Sequence, residues 1–286
     1  MCLPESMRAE QLTDPIAFHG EGPVWSLSWG GLRWVDMLAG DILTLRRNRV
    51  ERRHVGDVAA AVRPRSRGGA IIGVERGFAL ESETGEITVL PELWAEAGIR
   101  MNAGGCDPQG NFWCGSMASD QRAGAASLYR LSPDGKVDVM LDGVTVSNGI
   151  DWSPDGSLVY YNDTATQQIA VFDFDPAEGL SNRRVLVELA EGSLPDGLTV
   201  DSEGCVWTAV ANGGAVHRYR ADGRLDGLVE VGTAKTTACT FGGDNLDRLF
   251  VTTSQEHVDT SADPLAGALF VAEVGVVGQP VRPFAG

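Results

Sequence analysis

Short apolar runs recur along the chain, each set off by a polar turn rich in Pro, Asp and Gly. Asp107-Pro108-Gln109-Gly110 leads into Asn111-Phe112-Trp113-Cys114, and Ser153-Pro154-Asp155-Gly156 leads into Leu158-Val159-Tyr160-Tyr161. Asp201-Ser202-Glu203-Gly204 leads into Cys205-Val206-Trp207-Thr208, and Phe241-Gly242-Gly243-Asp244 precedes Leu249-Phe250-Val251. Pro and Asp pre-set such turns, and Gly takes the positive-φ position. Second strands are predicted at Ala126–Leu131, Gln168–Phe174, Ala215–Tyr219 and Gly267–Ala272, and outer strands at Val137–Leu141, Arg184–Leu189 and Gly227–Val231. No long amphipathic helix is predicted; Pro91–Ala97 has room for a turn or two.

These strands group into six units beginning near Gly20, Val58, Asn102, Asn148, Pro195 and Thr236. The second is the weakest, with Gly69–Val74 and Gly77–Glu81 as its clearer strands. Four short strands per unit of roughly 40–50 residues is the pattern of a propeller blade. The expectation is an all-β, six-bladed β-propeller with four antiparallel strands per blade. Tandem β-sandwiches are the alternative, and the sustained period argues against them. No linker or low-complexity boundary interrupts the chain, so residues 1–286 are expected to form one domain.

In a propeller the innermost strand of each blade lines a central channel, and the loop leading into it opens on one rim. Glu21, Asn102, Asn148 and Asp196 all sit at that point of their units, the last three at intervals of 46 and 48 residues. Carboxylate and amide oxygens gathered there are hard ligands, suited to one divalent ion: Ca²⁺, Mg²⁺, Mn²⁺ or, with water, Zn²⁺. Asn148-Gly149 and Asp196-Gly197 also read as ordinary turn dipeptides. Glu21 favours the ligand reading, because glutamate is a poor turn residue and Gly20-Glu21-Gly22-Pro23 runs straight into a strand.

Charge narrows the choice of partners. With 23 Lys and Arg against 39 Asp and Glu, the net charge is −16, which repels nucleic acid. The stretch holding Arg46, Arg47, Arg49, Arg52 and Arg53 is interleaved with Leu45, Val50 and Val55 and reads as a solvated hairpin. The five cysteines, Cys2, Cys106, Cys114, Cys205 and Cys239, form no framework and fit reduced thiols, although Cys106 and Cys114 flank one turn. No secretory signal and no membrane-spanning run is found, so a cytoplasmic location is expected. The tryptophans, among them Trp25, Trp34, Trp113, Trp152 and Trp207, recur on strands and are assigned to packing between blades. His19 lies two residues before Glu21 and reads as a rim or packed histidine, His217 as structural, and Lys235 as a weak rim candidate. No Gly-x-Ser-x-Gly elbow supports a serine hydrolase.

An ordered set of segments resembles the senescence marker protein (regucalcin)/gluconolactonase/luciferin-regenerating enzyme family. The set runs through Gly20-Glu21-Gly22-Pro23-Val24-Trp25, Arg100-Met101-Asn102, Gly115-Ser116-Met117, Ser147-Asn148-Gly149-Ile150-Asp151-Trp152, Pro195-Asp196-Gly197, Lys235-Thr236-Thr237 and Phe241-Gly242-Gly243. The resemblance implies a six-bladed propeller with one catalytic divalent metal held by Glu21, Asn148 and Asp196. It implies substrate contacts from Arg100, Asn102 and, more weakly, Asp120, where the family has a longer acid. Ala103 stands where the family has Asp. The implied reaction is hydrolysis of a small lactone, such as a sugar-acid lactone, by metal-activated water, with Asp196 as candidate general base. The rival from another class is a calcium-binding or scaffold propeller without turnover. The oligomer expected is a monomer or a small homo-oligomer.

Overall fold

The computed structural model describes residues 5–47 and 49–286, so Cys2 lies outside the described residues. The described chain forms six antiparallel sheets in sequence order. Their innermost strands are Gly20–Ser26, Ala59–Pro64, Ile99–Cys106, Ser147–Trp152, Leu194–Val200 and Thr236–Gly242, which define blades 1 to 6. The starts of these strands lie close to the predicted ones, and the Gly/Pro/Asp turns Asp107–Gly110, Ser153–Gly156 and Asp201–Gly204 reverse the chain at the far ends of three of them. Each sheet meanders outward to a fourth strand, giving the expected six-bladed propeller.

The predicted outer strands stopped short of explaining how the ring closes. After Thr236 the chain supplies only three strands to blade 6: Thr236–Gly242, Arg248–Thr253 and Phe270–Glu273. Glu10–Gln11 pairs with the last of these and completes the blade from the other end of the chain. The preceding Glu5–Arg8 adds a fifth, parallel strand to blade 5 along Leu225–Glu230. No α-helix occurs among the described residues, and Pro91–Ala97, given a possible helical turn above, is irregular. The segment bonds back to its own blade through Leu93 N to Arg76 O and forward to blade 3 through Trp94 Nε1 to Ile99 O.

Aromatic side chains glue neighbouring blades. Trp113 of blade 3 and Trp152 of blade 4 meet edge to face at 5.7 Å, with Phe174 packed on both. Trp207 of blade 5 meets Phe241 of blade 6 in the same manner. The turn aspartates fix these indoles: Asp107 accepts from Trp113 Nε1 and Asp201 from Trp207 Nε1, each at 2.9 Å. Such geometry adds about 0.5–1.5 kcal/mol per aromatic pair beyond burial. The basic segment forms the expected hairpin, and two of its arginines are ion-paired, Arg52 to Asp36 and Asp41, and Arg53 to Glu81. Cys106 and Cys114 are free and buried; the register sets Cys106 opposite Phe112 and Cys114 opposite Gly104.

The inner strands enclose an axial channel. A cavity of about 20 Å³ is lined by Gly22, Arg63, Gly104, Gly149, Gly197 and Ala238, one residue from each blade. A second, of about 70 Å³, lies further along and is lined in part by Gln279 and Arg282 of the C-terminal segment. Gln279 Nε2 donates to Trp152 O and Val200 O, and Arg282 Nη2 to Ser153 O, which fastens that segment across the channel. The rim where the inner strands begin is the one left for a ligand.

Candidate metal centre

Every inner strand carries one residue more than its neighbour needs. The pairing slips after Glu21, Ala59, Met101, Ser147, Pro195 and Thr236. A bulge of this kind bends the strand and re-aims its side chains. Asn102, Asn148 and Asp196 occupy the slipped positions of blades 3, 4 and 5, and Glu21 stands just before that of blade 1. Blades 2 and 6 present Ala60 and Thr237 there. The recurrence read from the sequence is therefore a recurrence of bulges; three of the six carry a carboxylate or carboxamide, and a fourth has Glu21 beside it.

The glycines after Asn148 and Asp196 do not serve as turn residues, since both lie inside strands. A Cβ on Gly149 would stand 2.3 Å from Leu198 N, and one on Gly197 2.4 Å from Ala238 Cβ. Glycine is required because inner strands crowd together at the axis. Gly22 differs, with φ of 50°, a left-handed conformation that glycine adopts freely. Two aspartates fix the chain ahead of Glu21 in blade 1 and Asn148 in blade 4. Asp36 accepts from Phe18 N and His19 N, and Asp163 accepts from Thr145 N and Val146 N, at 2.9–3.1 Å.

The four side chains are buried, Glu21 to 3 % and Asp196 to 8 % exposure. Asn102 Nδ2 donates to Asn148 Oδ1 at 3.2 Å and to Ser147 O at 2.8 Å, while Arg100 Nη1 donates to Asn102 Oδ1 at 2.7 Å. Among the described residues Glu21 Oε2 accepts only from Gly22 N, at 3.0 Å. Burial pushes the Glu21 carboxyl up to about 7, and burial with the Glu21 charge pushes Asp196 well above the usual carboxylate range. Burial lowers Arg100, against the opposing pull of Glu256, Glu21 and Asp196. Asp196 Oδ1 has no hydrogen-bond partner, the only buried carboxylate oxygen of that kind among the described residues. An unsatisfied buried acceptor costs about 1–3 kcal/mol, more when charged. Two desolvated carboxylates, one of them with an orphaned oxygen, and a carboxamide oxygen are a donor set that fits one hard divalent cation.

Around this set stand groups that the strand pattern does not reveal. His19 Nδ1 lies 2.7 Å from Ser254 Oγ and 3.5 Å from Glu256 Oε2. A serine–histidine–acid relay needs its two partners on different ring nitrogens, so this contact is not one. Burial lowers His19 to about 4, which makes it the packed histidine expected. Glu256 comes from the irregular stretch between the strands Arg248–Thr253 and Phe270–Glu273, where no periodicity marks it. Lys235 is half-buried and its charge acts on both Glu21 and Asp196. Asp120 lies just past the strand Phe112–Ala118, which pairs with the strand of Arg100; its side chain is 63 % exposed and meets Arg122 at 3.4 Å. The structure thus brings Asn102 and Asn148 into direct contact, sets Glu21 and Asp196 within each other's field, and leaves Asp120 outside that cluster.

The family described as "SMP-30/Gluconolactonase/LRE-like region" matches residues 19–255. Regucalcin of Bos taurus is 34 % identical over 283 residues, covering 93 % of this chain and 95 % of that protein. A 6-deoxy-6-sulfogluconolactonase of Pseudomonas putida is 34 % identical over 277 residues, with 93 % and 95 % covered. A crystal structure described as a calcium-binding protein, regucalcin, from Agrobacterium tumefaciens superposes with a TM-score of 0.93 at 28 % identity, covering 99 % of each chain. Among the described residues no helix is long and apolar enough to cross a membrane. With matched blades, matched length and a family match across all six inner strands, the chain belongs to the SMP-30/gluconolactonase/luciferin-regenerating enzyme-like family.

Proposed function

We propose that this protein is a divalent-metal-dependent hydrolase that opens a small lactone, with sugar-acid lactones as the substrate class. The observation that carries the reading is the unpartnered Asp196 Oδ1 buried beside Glu21. Kinship with a sulfogluconolactonase supports the substrate class. Glu21, Asn148 and Asp196 are the residues that would hold the ion, by Oε, Oδ1 and Oδ oxygens. When bound, a divalent ion polarises the lactone carbonyl and lowers the pKa of water.

The remaining work falls to side chains. Asp196 takes a proton from the attacking water as its oxygen bonds to the carbonyl carbon. The ring C–O bond then breaks, and that proton passes to the departing alkoxide oxygen, giving the hydroxy acid. Among the described residues Arg100 uses only Nη1, in bonds to Asn102 Oδ1, Met101 O and Met37 Sδ. Its Nε and Nη2 are left to donate to substrate oxygens. Asn102 holds Arg100 in place and keeps one lone pair of Oδ1 for a substrate hydroxyl. Asp120, exposed and paired with Arg122, enters this scheme as an outer substrate contact through the family resemblance alone. The fastened C-terminal segment closes the far end of the channel, so substrate and water both arrive from the Glu21 rim.

Lactone hydrolysis assayed with Ca²⁺, Mn²⁺, Mg²⁺ or Zn²⁺ against a metal-stripped control tests the proposal. Turnover that is lost on stripping and restored by one ion is expected. Metal binding without turnover on any lactone would favour a calcium-binding role, the description carried by the superposed Agrobacterium structure.

A further inference from the structure

The hydrogen bonds around Asn148 form a chain whose direction is fixed at both ends. At one end Arg100 Nη1 donates to Asn102 Oδ1 at 2.7 Å, and a guanidinium has no acceptor. Asn102 must therefore present its oxygen to Arg100 and its Nδ2 to the other side. There the two N–H groups meet Ser147 O at 2.8 Å and Asn148 Oδ1 at 3.2 Å. At the other end Thr164 Oγ1 lies 2.8 Å from Pro195 O, and a carbonyl has no proton to give. The single hydroxyl hydrogen of Thr164 points to that carbonyl. Thr164 Oγ1 can then only accept from Asn148, whose Nδ2 lies 2.8 Å away.

Both ends agree on one orientation of the Asn148 carboxamide. Its nitrogen faces Thr164 in the rim turn Thr164–Thr166, and its oxygen faces Asn102. That oxygen keeps a second lone pair. The opposite orientation would set Nδ2 against Nδ2 of Asn102 and would leave Thr164 with no donor from Asn148. Pro195 directly precedes Asp196, so Thr164 is tied at once to the carboxamide of blade 4 and to the backbone entering the carboxylate of blade 5. Thr164 N is itself fixed by Val146 O at 3.0 Å, two residues before Asn148.

We propose that Thr164 is a positioning residue for the metal centre: its hydroxyl locks the Asn148 carboxamide with Oδ1 as the ion-facing atom and couples that ligand to Asp196. The role rests on the metal reading given above, and it touches neither substrate nor reacting atoms. Residues that orient metal ligands in this manner change metal affinity about 10–100-fold when removed. Valine keeps the shape of threonine and loses the hydroxyl; serine keeps the hydroxyl.

Calorimetric titration of Ca²⁺ and Mn²⁺ into the metal-stripped full-length protein is the first test. Thr164→Val is expected to weaken binding about 10–100-fold, while Thr164→Ser stays within about threefold of the parent. The second test needs no metal. In ¹⁵N-labelled apoprotein the Asn148 side-chain amide, identified by its loss in Asn148→Asp, is expected to exchange slowly in the parent and in Thr164→Ser. It is expected to shift and lose protection in Thr164→Val. Unchanged affinity in Thr164→Val, or an unchanged Asn148 amide signal in the apoprotein, would overturn the assignment. A parent protein that binds no divalent ion but shows the expected amide signals would instead remove the metal reading and leave the carboxamide lock standing.

Discussion

Asp196 and Asp201 are five residues apart on blade 5, both buried, and they differ in what fills their lone pairs. Asp201 accepts Glu203 N, Cys205 N, Trp207 Nε1 and Arg218 Nε, each at 2.9 Å. Asp201, Glu203 and Cys205 offer ligand atoms within 4.8 Å of one another, the spacing of a metal cluster. Arg218 already supplies the cation there, pairing with Asp201, Glu203 and Asp226. Asp196, near the start of the strand Leu194–Val200 that Asp201 follows, has an oxygen with no partner and a second carboxylate close enough to raise its pKa. A buried carboxylate with its acceptors filled is scaffold; one whose acceptors are left open is prepared for something the chain does not provide.

The contrast can be broken by equivalent substitutions. Asp196→Asn should lower lactone turnover by about 10²–10⁴-fold, the range for a lost general base. Its thermal stability without metal should hold or rise, because an unpaired buried charge has gone. Steady-state kinetics and a thermal melt on the same sample read both. Asp201→Ala should do the reverse, losing about 3 kcal/mol of stability as Arg218 and the Trp207 indole lose their acceptor. If Asp201→Ala kept full stability and lost turnover, the division between scaffold and site would be wrong.

Smaller effects sharpen the same comparison. Glu21→Gln should weaken divalent-ion binding by roughly tenfold or more in a calorimetric titration, since a neutral amide replaces a charged ligand. In the metal-free protein the raised carboxyl of Glu21 sets a pH dependence whose sign can be worked out. The folded state holds that proton more tightly than the unfolded state, so stability is greatest below the unfolded pKa of 4.5 and falls as pH rises through about 7. The slope is at most about 1.4 kcal/mol per pH unit per group. Denaturant unfolding of stripped protein between pH 5 and 8 should show this decline, and it should be shallower in Glu21→Gln. A stability that rises with pH across that window would contradict the burial of an unpaired carboxylate.

How much of this could be read from residues alone follows from which forces are local. The six units were legible because turn chemistry is local: Asp107-Pro108-Gln109-Gly110 and Ser153-Pro154-Asp155-Gly156 reverse the chain out of the inner strands of blades 3 and 4. Blade 2, with no such turn, showed only its second and third strands. The shared position of Glu21, Asn102, Asn148 and Asp196 was legible because the repeat carries it. The reason for their glycines was not, since Gly149 and Gly197 answer to the neighbouring blade's backbone and not to a turn. Ring closure was equally hidden, because Glu10–Gln11 pairs with Phe270–Glu273 across nearly the whole chain length. Glu256 and Thr164 reach the site from rim segments with no periodicity, and only the folded ring sets them beside His19 and Asn148.

The central claim is that Glu21, Asn148 and Asp196 hold one divalent cation at the open end of the channel. Anomalous diffraction from crystals grown with Mn²⁺ tests it most directly. A single strong peak is expected, bounded by a Glu21 carboxylate oxygen, Asn148 Oδ1 and Asp196 Oδ1, at distances of about 2.0–2.6 Å, the range of oxygen ligands to hard cations. A peak beside Asp201 and Glu203, or no peak at the rim in protein that folds and binds the ion, would contradict it.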